Sequence, residues 1–126
     1  AQSAALGGSA RDGLHWPQRP RGTVELGVRV PPARIGDVLD RIAGDFVAAH
    51  GVGEVLVAGS LAAGVVSELR TWAESIEGTV VITRAPTGFG LDPWGRPPPT
   101  VGLQRRIKAA FDPVGVMVPG RLPGGL

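Results

Sequence analysis

At 126 residues the chain has room for one domain with a single core. Cysteine is absent, which excludes disulfides, thiolate metal sites and cysteine-ligated iron–sulfur clusters within the chain. The net charge is only +2, and the basic pI of about 10.4 comes from scattered arginines, Lys108 being the sole lysine, so nothing points to nucleic acid.

Residues 1–22 form a predicted disordered linker. Its Ala/Gly/Ser start lacks the charged region and long apolar run of a signal peptide. The chain also starts without Met, as expected of a piece of something larger. GGSARDG lacks the Gly-Lys-Ser/Thr ending of a phosphate loop, and no strand precedes it. His15 and Trp16 are expected to anchor this segment by packing.

Residues 23–84 are predicted to be one α+β domain. TVELGVRV (23–30) alternates, with Val24, Leu26, Val28 and Val30 on one face, as in a half-buried strand ended by Pro31-Pro32. A helix is predicted over 33–50, from Ile35, Val38, Leu39, Ile42 and Phe46 at helical spacing. Gly51 is its expected left-handed cap and His50 its last-turn residue. GEVLVA (53–58) reads as a second strand. Ser60 is the expected N-cap of a helix over 61–77, with Leu61, Val65, Leu69, Trp72 and Ile76 inward and Gly78 at its end. TVVITR (79–84) is the third strand. The predicted order is β-α-β-α-β, with helices layered on one face of a small sheet, and the alternating first strand favours a ferredoxin-like arrangement over a doubly wound sheet.

Residues 85–100 hold five prolines among Phe89, Leu91 and Trp94 and read as a Pro-rich linker. From Thr100, an expected cap, a helix runs with Leu103, Ile107, Ala110 and Phe111 as its apolar stripe. Asp112-Pro113 stops it, since proline biases the preceding residue away from helical dihedrals. An apolar strand (Val114, Val116, Met117, Val118) and the Pro119-Gly120 turn follow, so composition alone suggests a terminal helix and strand clamped onto the core. Nothing places a hydroxyl nucleophile beside either histidine, and two histidines without cysteine make a metal site unexpected. No apolar run approaches the roughly 18 residues of a membrane span.

RAP (84–86), LDPWG (91–95), LQRRIKAAFDPVGVMVPGR (103–121) and the closing GG (124–125) resemble the C-terminal end of FAD-linked oxidases of the vanillyl-alcohol-oxidase type. Within that family the pattern is most similar to the FAD-binding subunits of bacterial glycolate oxidases. Lys108, Phe111, Asp112, Pro113, Gly115, Val116, Pro119, Gly120 and Arg121 match the family's terminal motif, whereas Val118 stands where the family usually has Asn.

The resemblance implies that residues 23–84 are the ferredoxin-like β-α-β-α-β cap domain. Residues 101–126 would then be the return segment, a helix–strand tail, of a flavin domain whose remainder lies elsewhere. It further implies oxidation of a 2-hydroxy acid to a 2-oxo acid with FAD as cofactor, partner subunits including an iron–sulfur one, and a location in the cytoplasm or at a membrane through those partners. Val118, Pro119, Gly120 and Arg121 would lie near the flavin through backbone contacts or packing. No catalytic base follows from the resemblance; His50 and Lys108 are the available candidates. Two non-enzymatic readings stand beside it: a ferredoxin-like binding or regulatory module, and an assembly subunit that has lost its flavin.

Overall fold

A computed structural model describes residues 18–126. The expectations for residues 1–17, His15 and Trp16 included, lie outside the described residues. The remainder contains an α+β domain whose antiparallel sheet has four strands. These are β1 (Val24–Arg29), β2 (Asp45–Ala49), β3 (Glu54–Gly59) and β4 (Thr79–Arg84), with α1 (Ile35–Leu39) and α2 (Ala63–Ser75) between them and α3 (Val101–Phe111) after the sheet. The chain order is thus β1-α1-β2-β3-α2-β4, and the strands lie side by side as β2-β3-β1-β4.

Alternation in β1 produces the core. Val24, Leu26 and Val28 pack with Val55 and Val57 of β3, Val80 and Ile82 of β4, and the inward residues Ile35, Val38, Val66, Leu69 and Ala73 of the helices. One face of the sheet is therefore sealed by α1 and α2, as the period-two pattern requires.

The helix expected over 33–50 is replaced by two elements. Only Ile35–Leu39 is α-helical, and Asp45–Ala49 is a strand paired with β3 from Asp45↔Ala58 to Ala49↔Glu54. Gly44, at φ +141°, makes the break in a conformation closed to other residues, and the free edge of β3 takes up the backbone groups that follow. A three-residue 3-10 turn, His50–Val52, joins β2 to β3. The left-handed residue that closes it is Gly53, at φ +70°, and not Gly51.

α2 starts at Ala63 with Ala62 as N-cap, so Ser60 lies outside it and caps nothing. Of its expected stripe Leu69 is buried and Leu61, Trp72 and Ile76 pack partly buried against the core, but Val65 is exposed and the fully buried positions beside Leu69 are Val66 and Ala73; the Arg41 guanidinium lies 4.4 Å above the Trp72 ring. Its end is a Schellman motif. Gly78 N–H donates to the Ala73 carbonyl at 2.8 Å and Glu77 N–H to Glu74 at 3.3 Å. Glu77 takes the left-handed position at φ +61°, while Gly78 lies where a Cβ would come 2.6 Å from the Arg29 carbonyl oxygen.

Residues 85–100 carry no helix or strand. They are tied to the domain by Ile82 N–H donating to Pro93 O at 2.8 Å, and by Arg70, whose guanidinium reaches the carbonyls of Val80 and Pro93. The strand expected at 114–118 does not form. Among the described residues no helix is long and apolar enough to cross a membrane.

Candidate functional site

The C-terminal segment from Lys108 to Arg121 is built around one carboxylate. Asp112 ends α3, and its side chain accepts from Val116 N–H at 2.8 Å, from Met117 N–H at 3.0 Å and from the Lys108 ammonium at 2.9 Å. Lys108 donates again, to the Met117 carbonyl, at 2.7 Å. These bonds occupy the backbone groups that would otherwise seek a strand ladder, which is why 114–118 folds as a tight loop. Lys108 thus has a structural position, with donors committed to two acceptors, and is not arranged as a free base.

Asp112 is only 7% exposed. The Lys108 hydrogen bond holds its carboxyl below the usual carboxylate range, and the Met117 and Val116 amides add to this against the upward push of burial. A carboxyl lowered in the folded state stabilises the loop fully above its unfolded pKa and loses that contribution progressively as pH falls from there through the lowered value. Amide exchange protection at Val116 and Met117 is therefore expected to hold from neutral pH down to the range where an ordinary Asp titrates, to weaken progressively below it, and to be lost once the lowered carboxyl is protonated. Exchange measured across that series checks it; protection lost completely before the pH falls below the ordinary range would contradict it.

α3 is inverted relative to a core-facing helix. Its half-buried positions are Val101, Gln104 and Lys108, and its bonds to the tail come from the polar side: Lys108 to Asp112, and Arg105 to the Gly124 carbonyl at 3.3 Å. The apolar residues Leu103, Ile107 and Phe111 face outward, Phe111 with 81% of its surface exposed. No α3 residue is buried, so the expected clamp onto the domain core is absent. Thr100 does occupy the N-cap position, but its hydroxyl accepts from the Gln104 side chain and not from a helix amide. Val114, Val116, Met117 and Val118 continue the exposed apolar surface beyond the helix.

The four residues expected near a flavin form the turn that closes this surface. Val118 has φ +44°, a left-handed value that its branched Cβ strongly disfavours. Gly120, at φ +77°, has open space where a Cβ would stand. Arg121 N–H reaches the Val118 carbonyl at 3.4 Å, and the Arg121 carbonyl accepts from the Trp94 indole N–H at 2.9 Å. Trp94 is itself held by the Asp92 carboxylate, which accepts from the Trp94 and Gly95 amides. The LDPWG segment and the terminal turn are therefore one bonded unit, a pairing that sequence spacing gave no sign of. The turn offers open backbone and apolar side chains, with Pro119 between the two left-handed residues, and no side-chain donor or acceptor at position 118.

Asn is among the residues that tolerate left-handed dihedrals, which a branched side chain does not. Val118→Asn is expected to steady the turn by about 1 kcal/mol, roughly fivefold in its opening equilibrium. Slower amide exchange at Arg121 would show this, and unchanged exchange would place the strain elsewhere. His50 opens the turn between β2 and β3, is exposed, and makes no side-chain hydrogen bond among the described residues. It is not brought together with the C-terminal motif by any described contact. Comparison with protein-family models, with curated proteins and with solved structures finds no match.

Proposed function

We propose that the chain supplies the cap domain and the C-terminal return segment of an FAD-dependent oxidoreductase of the vanillyl-alcohol-oxidase type, of the glycolate-oxidase kind. The β-α-β-β-α-β order, with β3 between β1 and β2 and β1 between β3 and β4, suits a ferredoxin-like cap. The substrate would be a small 2-hydroxy acid, oxidised to the 2-oxo acid. Bound flavin would supply the hydride acceptor, and electrons would leave through a partner subunit carrying iron–sulfur clusters.

The observation that carries this reading is the outward apolar stripe of α3. A helix that bonds its polar side to its own tail and turns Leu103, Ile107 and Phe111 to solvent suits a covering surface outside these residues. In the proposed enzyme that surface is the flavin domain. The turn from Val118 to Arg121 fits one face of a flat ring through backbone and packing only. The cofactor's pyrophosphate would be held by the rest of the parent chain.

Val118 also favours a second reading, a ferredoxin-like assembly module without flavin, because position 118 offers no side-chain contact to a polar ring edge. The purified parent chain separates the two by its visible flavin absorbance. Bound flavin supports the enzyme, and a folded, assembling parent chain without flavin overturns it in favour of the module.

A further inference from the structure

The sheet face turned away from α1 and α2 departs from the polar surface expected of a solvated antiparallel sheet. Its middle row, read across the registers, is Val47, Leu56, Gly27 and Val81, all half-exposed. In the adjacent row Glu25, two residues from Gly27 on β1, lies opposite Ala58 on β3 and Arg84 on β4. A register shift beside Glu25 places both Thr83 and Arg84 against it, and bulges of this kind re-aim side chains.

Three guanidiniums gather there. Arg84 Nη1 lies 3.7 Å and Arg21 Nη1 4.0 Å from the Glu25 carboxylate, while Arg19 donates to the Thr83 hydroxyl at 3.1 Å. Glu25 is 5% exposed, and its Oε1 has no hydrogen-bond partner among the described residues. Burying a carboxylate without hydrogen bonds is unfavourable, and its compensation is the pair of guanidiniums beside it. Arg21 and Arg84 remain mostly exposed, and among the described residues neither guanidinium makes a hydrogen bond. The cluster holds three positive charges against one negative, next to an apolar floor.

We propose that this end of the sheet binds a small carboxylate with a short apolar body. The carboxylate would sit on Arg21 and Arg84, and the body would lie over Gly27 between Leu56 and Val81. Guanidinium forks match carboxylates in geometry, and Gly27 has nothing within 4 Å of a would-be Cβ, so the floor is open there. The choice of a 2-hydroxy acid as occupant rests on the function proposed above.

The test is titration of the 126-residue chain with 2-hydroxybutanoate, followed by amide NMR, with 2-hydroxybutanamide as the uncharged control. Saturable shifts at Glu25, Gly27, Val81 and Arg84 with the acid and none with the amide are expected. Arg84→Ala should weaken binding about tenfold or more, the scale of a lost charge-assisted hydrogen bond. Gly27→Val, which the open space accommodates without unfolding, should block the floor and abolish binding with melting unchanged. Absence of saturable shifts, equal binding of the amide, or full binding by both variants would overturn the site. Flavin absorbance of the parent chain is read separately. Flavin without acid binding here removes the site and leaves the enzyme; acid binding without flavin keeps a carboxylate site and removes the enzyme.

Discussion

Gly53→Ala is expected to destabilise the domain by about 3 kcal/mol, read as a lower urea midpoint at unchanged slope. Gly53 closes the turn between β2 and β3 at φ +70°, where a Cβ costs roughly 1–2 kcal/mol. The added methyl would also overlap the Val30 carbonyl oxygen and touch the Pro32 ring. Relief requires moving the end of β1, and that movement breaks the bond from Val30 N–H to the Gly53 carbonyl, now 2.9 Å, for about 1 kcal/mol more. Gly51→Ala is the control. Gly51 has no positive φ and no neighbour within 4 Å of a would-be Cβ, so its replacement should change stability by less than about 0.5 kcal/mol. Equal effects at the two glycines would show that the strained turn is misplaced.

The same pair of glycines shows where local sequence signals run out. Strands β1, β3 and β4 and helix α2 are legible because alternation or a three-to-four spacing sets which residues the core receives. β2 is not. Phe46 follows Ile35, Val38, Leu39 and Ile42 at helical spacing, and Ala48 and Ala49 are good helix formers. What makes 45–49 a strand is the outer edge of β3, which the short Gly-containing turn after Ala49 folds back alongside it. With the helix misread, its stop moved to Gly51, two residues short of the glycine that takes the left-handed turn.

In α2 the stripe is only partly as expected. Leu61 precedes the helix and Val65 faces out, while the smaller Ala73 takes the core position beside half-buried Trp72. Bulk is a poor guide where a small residue allows a helix to approach the sheet closely. In the tail, the helix stop at Asp112-Pro113 was legible, because proline biases the residue before it away from helical dihedrals. The bond from Trp94 to Arg121 and the grouping of Arg21 and Arg84 around Glu25 were not, since each joins residues that only the folded chain brings together.

Phe111→Ala divides the two things an apolar stripe can do. Sequence alone assigns Phe111 to a stripe and so expects a loss of a few kcal/mol from either the domain or its docking. The structure separates these outcomes, because Phe111 is exposed and α3 buries no residue against the sheet. Melting of the chain is therefore expected to move by less than about 0.5 kcal/mol, as for an ordinary surface substitution. Affinity for the surface that covers the stripe should instead fall by 2 kcal/mol or more, about 30-fold, as for an aromatic anchor at the centre of an interface. The measurement pairs a thermal melt of the variant with its binding to the separately expressed remainder of the parent chain. A large drop in melting would place Phe111 in an internal contact. Unchanged binding would mean that the stripe of α3 is not the docking face, and the reading of residues 101–126 as a return segment would fall with it.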